Sequence, residues 1–381
     1  MTYDGTAIYD RGAVIVNTMM HYLGRDTFLN ALRSYLNSYL YGNASSEELC
    51  DAISDATGVD MHGFFDTYVY TGGMPHYDVN LINVTPTGSQ YNAEIQLGYW
   101  HVGPSHVGEN NRVEVTFVGN EGQLQTELVG WDGLEGHETV TIDFEPIAAF
   151  VDYYNRFLDA KFDSNVTAIE PTTLSQGKFK AIVNSVSNSS MLRLEEHLVG
   201  PDGDPGIPSL TLSHSHYWNF FRNDFGDADI TAQISFSNSL DIDGDIIHSE
   251  NDSAVLLYRT NTLEPWHAIP YTQEGNWKYG RFTVSNPQSG QYTIAVIDKT
   301  IGIEETFNSH SLIYPNPTTE KVTFQWNDND SGEIQVFNQQ LQLVKLIPYS
   351  NTNQIVFNVS DLSSGIYFVK RNNTIHKLIV Q

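Results

Sequence analysis

Between residues 12 and 71 the apolar positions recur every three or four residues, and beyond residue 75 they recur every second residue. In the first stretch Phe28, Ala31, Leu32, Tyr35, Leu36 and Tyr39 fall on one face of a helix, and that face must pack on something. Ser45 with Glu48 three residues later forms a capping box, Leu49, Ala52, Ile53 and Ala56 supply the next stripe, and Gly58 is placed to end it. Asp60 then caps a short helix carrying Phe64, Phe65 and Val69. Gly72-Gly73-Met74-Pro75 stops the helical pattern. Beyond it Val113-Glu114-Val115-Thr116-Phe117 and Val140-Thr141-Ile142-Asp143-Phe144 alternate as strands with one buried face do. Turn-rich breaks near Ser164-Asn165 and Ile301-Gly302 divide the β region. The pattern predicts a mainly β chain with an N-terminal α-helical segment: helices over 1–75, then β modules over 76–163, 164–302 and 303–381.

Length agrees, since 381 residues correspond to two or three domains of ordinary size. Short helices over about 60 residues make only a thin core. The first helix also starts without any preceding element to cover its apolar face, so the expectation is a larger helical domain upstream, with Met1 a truncated or misassigned start. The balance of 19 basic against 46 acidic residues, net −27, repels phosphate backbones and argues against nucleic acid as a partner. Residues 303–381 hold 5 basic and 7 acidic residues, so −25 of that charge belongs to residues 1–302. A single cysteine, Cys50, excludes an internal disulfide. No run of 18 apolar residues predicts a membrane span, and Met1–Asp10 has neither the basic start nor the apolar stretch of a signal peptide.

Metal chemistry finds little support. The only His-Glu pair, His137-Glu138, continues without a second histidine inside a strand pattern, where two ligands could not share a helix face; it reads as a surface pair. His214 and His216 alternate toward one face of an expected strand and read as ordinary β-surface. Asp202-Gly203-Asp204 and Asp241-Ile242-Asp243-Gly244-Asp245 alternate carboxylates as calcium loops do, yet neither completes the twelve-residue loop, and solvated acidic turns are the preferred reading. Tyr217, Trp218, Trp266 and Trp277 would suit a sugar-stacking platform, but sandwiches ordinarily bury such rings, so core is placed ahead of ligand site.

Two stretches carry a resemblance. Ile8-Tyr9-Asp10-Arg11-Gly12-Ala13, the helix through Leu23-Gly24 and Phe28 to Leu32-Arg33-Ser34-Tyr35-Leu36, and Tyr41-Gly42-Asn43-Ala44 resemble the end of the catalytic region of aminopeptidase N-type zinc metallopeptidases. Phe64-Phe65-Asp66-Thr67-Tyr68-Val69-Tyr70-Thr71-Gly72-Gly73-Met74-Pro75 looks like that family's closing helix, and Trp131-Asp132-Gly133 with Asp143-Phe144-Glu145-Pro146 fits its following sandwich. The resemblance implies a helical remnant of a peptidase catalytic domain, peptide-bond hydrolysis in the complete protein, and zinc as its cofactor. The zinc-binding His-Glu-x-x-His is absent, so this chain alone is expected to bind no zinc and to be inactive. What carries over is Tyr9, matching the family tyrosine whose hydroxyl donates to the oxyanion of the tetrahedral intermediate.

At the other end, Leu312-Ile313-Tyr314-Pro315-Asn316-Pro317-Thr318, then Ile334-Gln335-Val336-Phe337-Asn338, then Val359-Ser360-Asp361-Leu362-Ser363-Ser364-Gly365-Ile366-Tyr367-Phe368-Val369-Lys370, closing on Lys377-Leu378-Ile379-Val380-Gln381, is similar to a type IX secretion C-terminal sorting domain. It departs from the family at Gln340-Leu341-Gln342, where the family usually turns on glycine. This resemblance implies a small β-sandwich with the type IX machinery as its partner, and release to the medium or the cell surface. The expected fold as a whole is the helical remnant followed by consecutive Ig-like β-sandwich modules. A secreted aminopeptidase-like metallopeptidase is the leading expectation; a non-enzymatic surface protein for adhesion or glycan binding is the alternative.

Overall fold

The computed structural model describes residues 10–103, 108–203, 210–239, 242–298, 311–339, 342–372 and 374–381. The chain divides into two compact units, the first comprising residues 1–165, 195–199 and 223–225, and the second the remainder.

The first unit opens with helices α1 (Gly12–Leu23), α2 (Arg25–Ser38), α3 (Ser46–Thr57) and α4 (His62–Phe65), the last continuing into a π-helical turn over Asp66–Tyr70. The Ser45 hydroxyl accepts from the Glu48 amide at 3.1 Å while the Glu48 carboxylate accepts from the Ser45 amide at 2.7 Å, a reciprocal cap worth about 1 kcal/mol. Gly58 follows in the left-handed conformation. The apolar stripe of α2 is only half used. Phe28 and Ala31 are buried, whereas Leu36 is 56 % exposed and Leu40 and Tyr41, just beyond the helix, are more exposed than that.

Gly73 ends the helical block with φ of 95°, and a Cβ there would lie 1.8 Å from the Val102 carbonyl oxygen, so only glycine permits this close approach. From there the period changes to two. Strands β1 (Met74–Thr87), β2 (Gln90–Val102) and β5 (Glu135–Ile142) form one antiparallel sheet in the order β1-β2-β5. Strands β3 (Asn111–Gly119), β4 (Leu124–Trp131) and β6 (Pro146–Val151) form another in the order β4-β3-β6. The expected alternation places Val113, Val115 and Phe117 inward at 0 % exposure, with Ala93, Ile95, Leu97 and Ile142 in the same core. Burying each large side chain contributes about 1.5–3 kcal/mol. Met19, Tyr22, Phe64 and Phe65 of the helices join that cluster, so helices and sandwich share one interior. Thr18 of α1 accepts from the Leu158 amide at 2.8 Å, and Asn17 donates to the Arg156 carbonyl at 2.9 Å.

The second unit is β throughout its described residues. Strand β7 (Lys161–Ala168) leads into it, followed by β8 (Thr172–Gln176), β9 (Phe179–Val186), β10 (Ser190–His197), β11 (Leu210–Leu212), β12 (Tyr217–Asp224) and β13 (Ala228–Ser237). Strands β14 (Asp252–Arg259), β15 (His267–Ala268), β16 (Thr272–Gly275), β17 (Tyr279–Ser285) and β18 (Gly290–Asp298) complete this module. One sheet runs β15-β14-β18-β12-β10-β7 with β11 also on β18, and the other runs β16-β17-β13-β9-β8. Phe179, Trp218, Phe220, Ile234, Leu256 and Ile294 fill the space between them.

The tail is a third sheet of β19 (Ser311–Tyr314), β20 (Lys321–Phe337), β21 (Leu343–Asn358), β22 (Gly365–Arg371) and β23 (Thr374–Val380). Its two sequence signatures meet in space. The Asn316 side chain donates to the Lys377 carbonyl at 2.6 Å and accepts from the Ile379 amide at 2.8 Å, so the Tyr-Pro-Asn-Pro segment grips the last strand. Val322, Ile334, Val336, Val369 and Leu378 form the tail core at 0 % exposure.

Candidate functional site

Tyr9 lies outside the described residues, which begin at Asp10. Arg11 donates to the Gly73 carbonyl at 2.8 Å, which ties the entry of α1 to the junction where the helices end. Around that junction sits a group of buried phenols. Tyr68 and Tyr77 share a hydrogen bond of 2.9 Å, Tyr22 donates to the Asn110 carbonyl, and the Tyr99 ring lies tilted against that of Tyr77 with centroids 5.6 Å apart. Burial pushes all four up, Tyr99 to about 12, so they are neutral hydroxyls at neutral pH.

Behind them the first unit holds a charged cluster that the sequence reading missed. The Lys161 ammonium, with a side chain 2 % exposed, donates to the Val151 carbonyl and to Glu195 at 3.1 Å, and lies 3.8 Å from Asp163. His197 approaches the other Glu195 oxygen at 3.6 Å and meets His76 at 2.7 Å between ring nitrogens. His76 is held well below its ordinary range by burial first, then by His197 and Lys161, and is therefore neutral. Asp159 is pushed up to about 8 by burial, against the pull of Lys161, and Asp152 is raised for the same leading reason. Asp152 also accepts from the Arg156 and Phe157 amides at 2.6 and 3.0 Å, closing the turn after β6. One lysine thus offsets several carboxylates in a buried place. A charged residue inside an apolar strand, as in Leu192-Arg193-Leu194-Glu195, was the available signal.

In the second unit the structure corrects two expectations. Ser213–His216 is a bend between β11 and β12, not a strand, because Asp245 accepts from the His214 amide at 3.0 Å and holds the chain there. His216 is buried, its Nε2 3.2 Å from Asp243 and its ring 4.8 Å from that of Trp218. Nor is the Asp243 turn solvated. Asp243 is 0 % exposed, accepts from the Ser237 amide at 2.9 Å, and takes the Ile246 and Ile247 amides on its own carbonyl. Its role is to fold the loop. Asp202 is likewise engaged, pairing with the buried Arg259, which lies over the Trp266 ring at 4.3 Å. Asp204 and Asp241 fall outside the described residues.

Tyr217, Trp218 and Trp266 are at most 1 % exposed and belong to the interior, which removes three rings from the sugar platform; Trp277 is half-buried. His137 and Glu138 are exposed on β5. Among the described residues no group of three or more His, Cys, Asp or Glu side chains is arranged to hold a metal ion. The donor set that the zinc implied by the resemblance would need is thus not found among the described residues. Cys50 is buried, with its thiol pushed up to about 11 chiefly by burial, and is no nucleophile at neutral pH. No described helix is long and apolar enough to cross a membrane.

Comparison with known proteins places both ends of the chain. Residues 1–68 match the Peptidase family M1 domain, and residues 312–381 match the Secretion system C-terminal sorting domain. Aminopeptidase 2, mitochondrial, of Saccharomyces cerevisiae is 35 % identical over 72 residues, covering 19 % of this chain and 8 % of that protein. Aminopeptidase N of Lactococcus lactis subsp. lactis is 27 % identical over 88 residues, covering 23 % of this chain and 10 % of its own length. Each of these relatives is thus matched over a tenth of its length or less. A crystal structure of Legionella pneumophila aminopeptidase A in complex with aspartic acid aligns over 36 % of this chain and 16 % of that one, at 18 % identity and a TM-score of 0.27.

Proposed function

We propose that the helices before residue 75 are the closing part of the catalytic domain of a zinc-dependent, aminopeptidase-like peptidase, and that the tail delivers this enzyme to the cell surface or medium through type IX secretion. The observation that carries the reading is the pairing, in one chain, of the M1 match at one end with the sorting-domain match at the other. The helices add physical support. Val14 and Val16 of α1 are 41 % and 50 % exposed, and Leu36, Leu40 and Tyr41 are more exposed still, an apolar outer surface suited to covering by further helices of a catalytic domain. In this reading peptides are the substrates of the complete enzyme, with zinc held by residues outside this chain.

The chain purified as residues 1–381 is expected to hold no stoichiometric zinc and to hydrolyse no aminoacyl anilide, whereas the longer protein hydrolyses it and is inhibited by chelators. Zinc near one equivalent with chelator-sensitive hydrolysis by 1–381, or an inactive longer protein with its zinc in place, overturns the assignment.

Export supplies a separate test. A reporter carrying a signal peptide and residues 303–381 is expected to reach the surface or medium of a host with type IX secretion, and loss of Lys377–Gln381 should retain it in the periplasm. That deletion also removes Leu378 and Val380 from the tail core. Asn316→Ala is the milder companion, since it cuts only the two bonds to the final strand. Unchanged export of both variants in cell fractionation would make the tail match structural only.

A further inference from the structure

Strands β14 and β18 carry unbroken apolar runs, Ala254-Val255-Leu256-Leu257 and Ile294-Ala295-Val296-Ile297. Alternation sends Ala254, Leu256, Ile294 and Val296 into the space between the module's sheets, and Val255, Leu257, Ala295 and Ile297 to the opposite face. In an antiparallel sandwich that second face ordinarily meets water. Here its residues are 1, 0, 0 and 8 % exposed. Leu210, Leu212 and Ala268, paired with Ile297, Ala295 and Leu257 across the ladder, extend the same face; Trp266 of the same module joins the cluster, and the rest of it is Phe337, Leu343 and Phe368 of the tail.

The hairpin between β20 and β21 is built for this contact. Asn338 and Gln342 close it through the Asn338 amide on the Gln342 carbonyl at 3.0 Å and the Gln342 amide on the Asn338 side chain at 2.9 Å. The Asn338 side-chain amide donates to Gln342 Oε1 at 2.8 Å, and Gln342 Nε2 donates to the Tyr271 carbonyl of the preceding module at 3.1 Å. Gln342 therefore uses one end of its amide to hold the hairpin and the other to hold the module. A side chain without that amide could do neither.

We infer that this hairpin is an intramolecular latch: the sorting tail is docked on the outer face of the β14–β18 sheet, and its release uncovers an apolar surface on the protein it exports. The occupant of that face is the chain's own tail. Where a freely hinged tail is always accessible to a receptor, a latched one is presented only in its undocked fraction.

Hydrogen exchange read by mass spectrometry on the full chain tests it. In Gln342→Gly combined with Leu343→Ser, exchange in residues 210–212, 254–259 and 266–268 is expected to rise on the order of 10-fold, as local opening becomes easier, while β22 and β23 keep their protection. Unchanged exchange in those carrier segments, with the tail folded, overturns the latch. Should β22 and β23 lose protection as well, Gln342→Gly alone decides by the same comparison, because glycine suits the turn and leaves the tail core intact; a rise confined to the carrier face supports docking, and none refutes it.

Discussion

Lys161→Met is expected to destabilise the first unit by about 3–5 kcal/mol, the loss that follows when one partner of a buried charge set is removed and the others stay. Glu195 at 3.1 Å and Asp163 at 3.8 Å would keep their charges and lose the lysine's, in a place where the lysine side chain is only 2 % exposed. The effect should also depend on pH. Asp159 is pushed up to about 8 by burial, above the ordinary carboxylate value of about 4, so the unfolded chain releases that proton first. A raised folded pKa means that this group's contribution is fully present below about pH 4 and is lost as pH climbs toward 8. Lys161 opposes the shift, so without it Asp159 ionises at higher pH and the decline should extend beyond pH 8. Urea unfolding at pH 5 and pH 9, followed through Trp100, whose ring lies 4.6 Å from that of His76, reads both effects. A loss under about 1 kcal/mol at pH 5, with the fall from pH 5 to pH 9 unchanged by the substitution, would show the cluster to be solvated and weak.

The second large effect is catalytic. In the longer enzyme proposed above, Tyr9→Phe keeps the ring and deletes only the hydroxyl, so the change should fall on the transition state. A lost oxyanion donor lowers kcat about 100-fold or more, roughly 3 kcal/mol, with KM little changed. A tyrosine that merely packs would instead lower the melting temperature and leave kcat near normal in the folded fraction. Kinetics beside a melting curve separate the two, and near-normal turnover in a fully folded variant removes Tyr9 from the mechanism. Within this chain, the Arg11 bond to Gly73 is the described contact that fixes the segment following Tyr9.

The legible parts of the molecule are those whose causes are local. The Ser45–Glu48 cap, the left-handed Gly58 and the change of period at Gly72-Gly73 all follow from neighbours within a few residues, and each stands in the structure. The inward Val113, Val115 and Phe117 needed only the strand period. What could not be seen depends on residues far apart in sequence. Lys161 and Glu195 are 34 positions apart, and His76 and His197 are 121 apart, so no spacing announces them. Asp243 looked solvated because a carboxylate in a Gly-containing turn usually is; the Ser237 amide and the His216 ring bury it instead. The continuous Ala254–Leu257 run is consistent with burial on both faces, but only the fold reveals that the outer neighbours Phe337, Leu343 and Phe368 lie 80 or more residues onward in the tail.

The discontinuity of the first unit sets an order in time. Chains are synthesised from the amino end at about 5–20 residues per second. Lys161 therefore exists for roughly 2–7 seconds before Glu195, 34 residues later, is made, and Asn223, which donates to the Asn120 carbonyl at 2.9 Å, comes later still. During that interval the nascent sandwich carries a lysine in its interior without its glutamate, so a fragment cut at residue 165 reproduces a growing chain and not a finished domain.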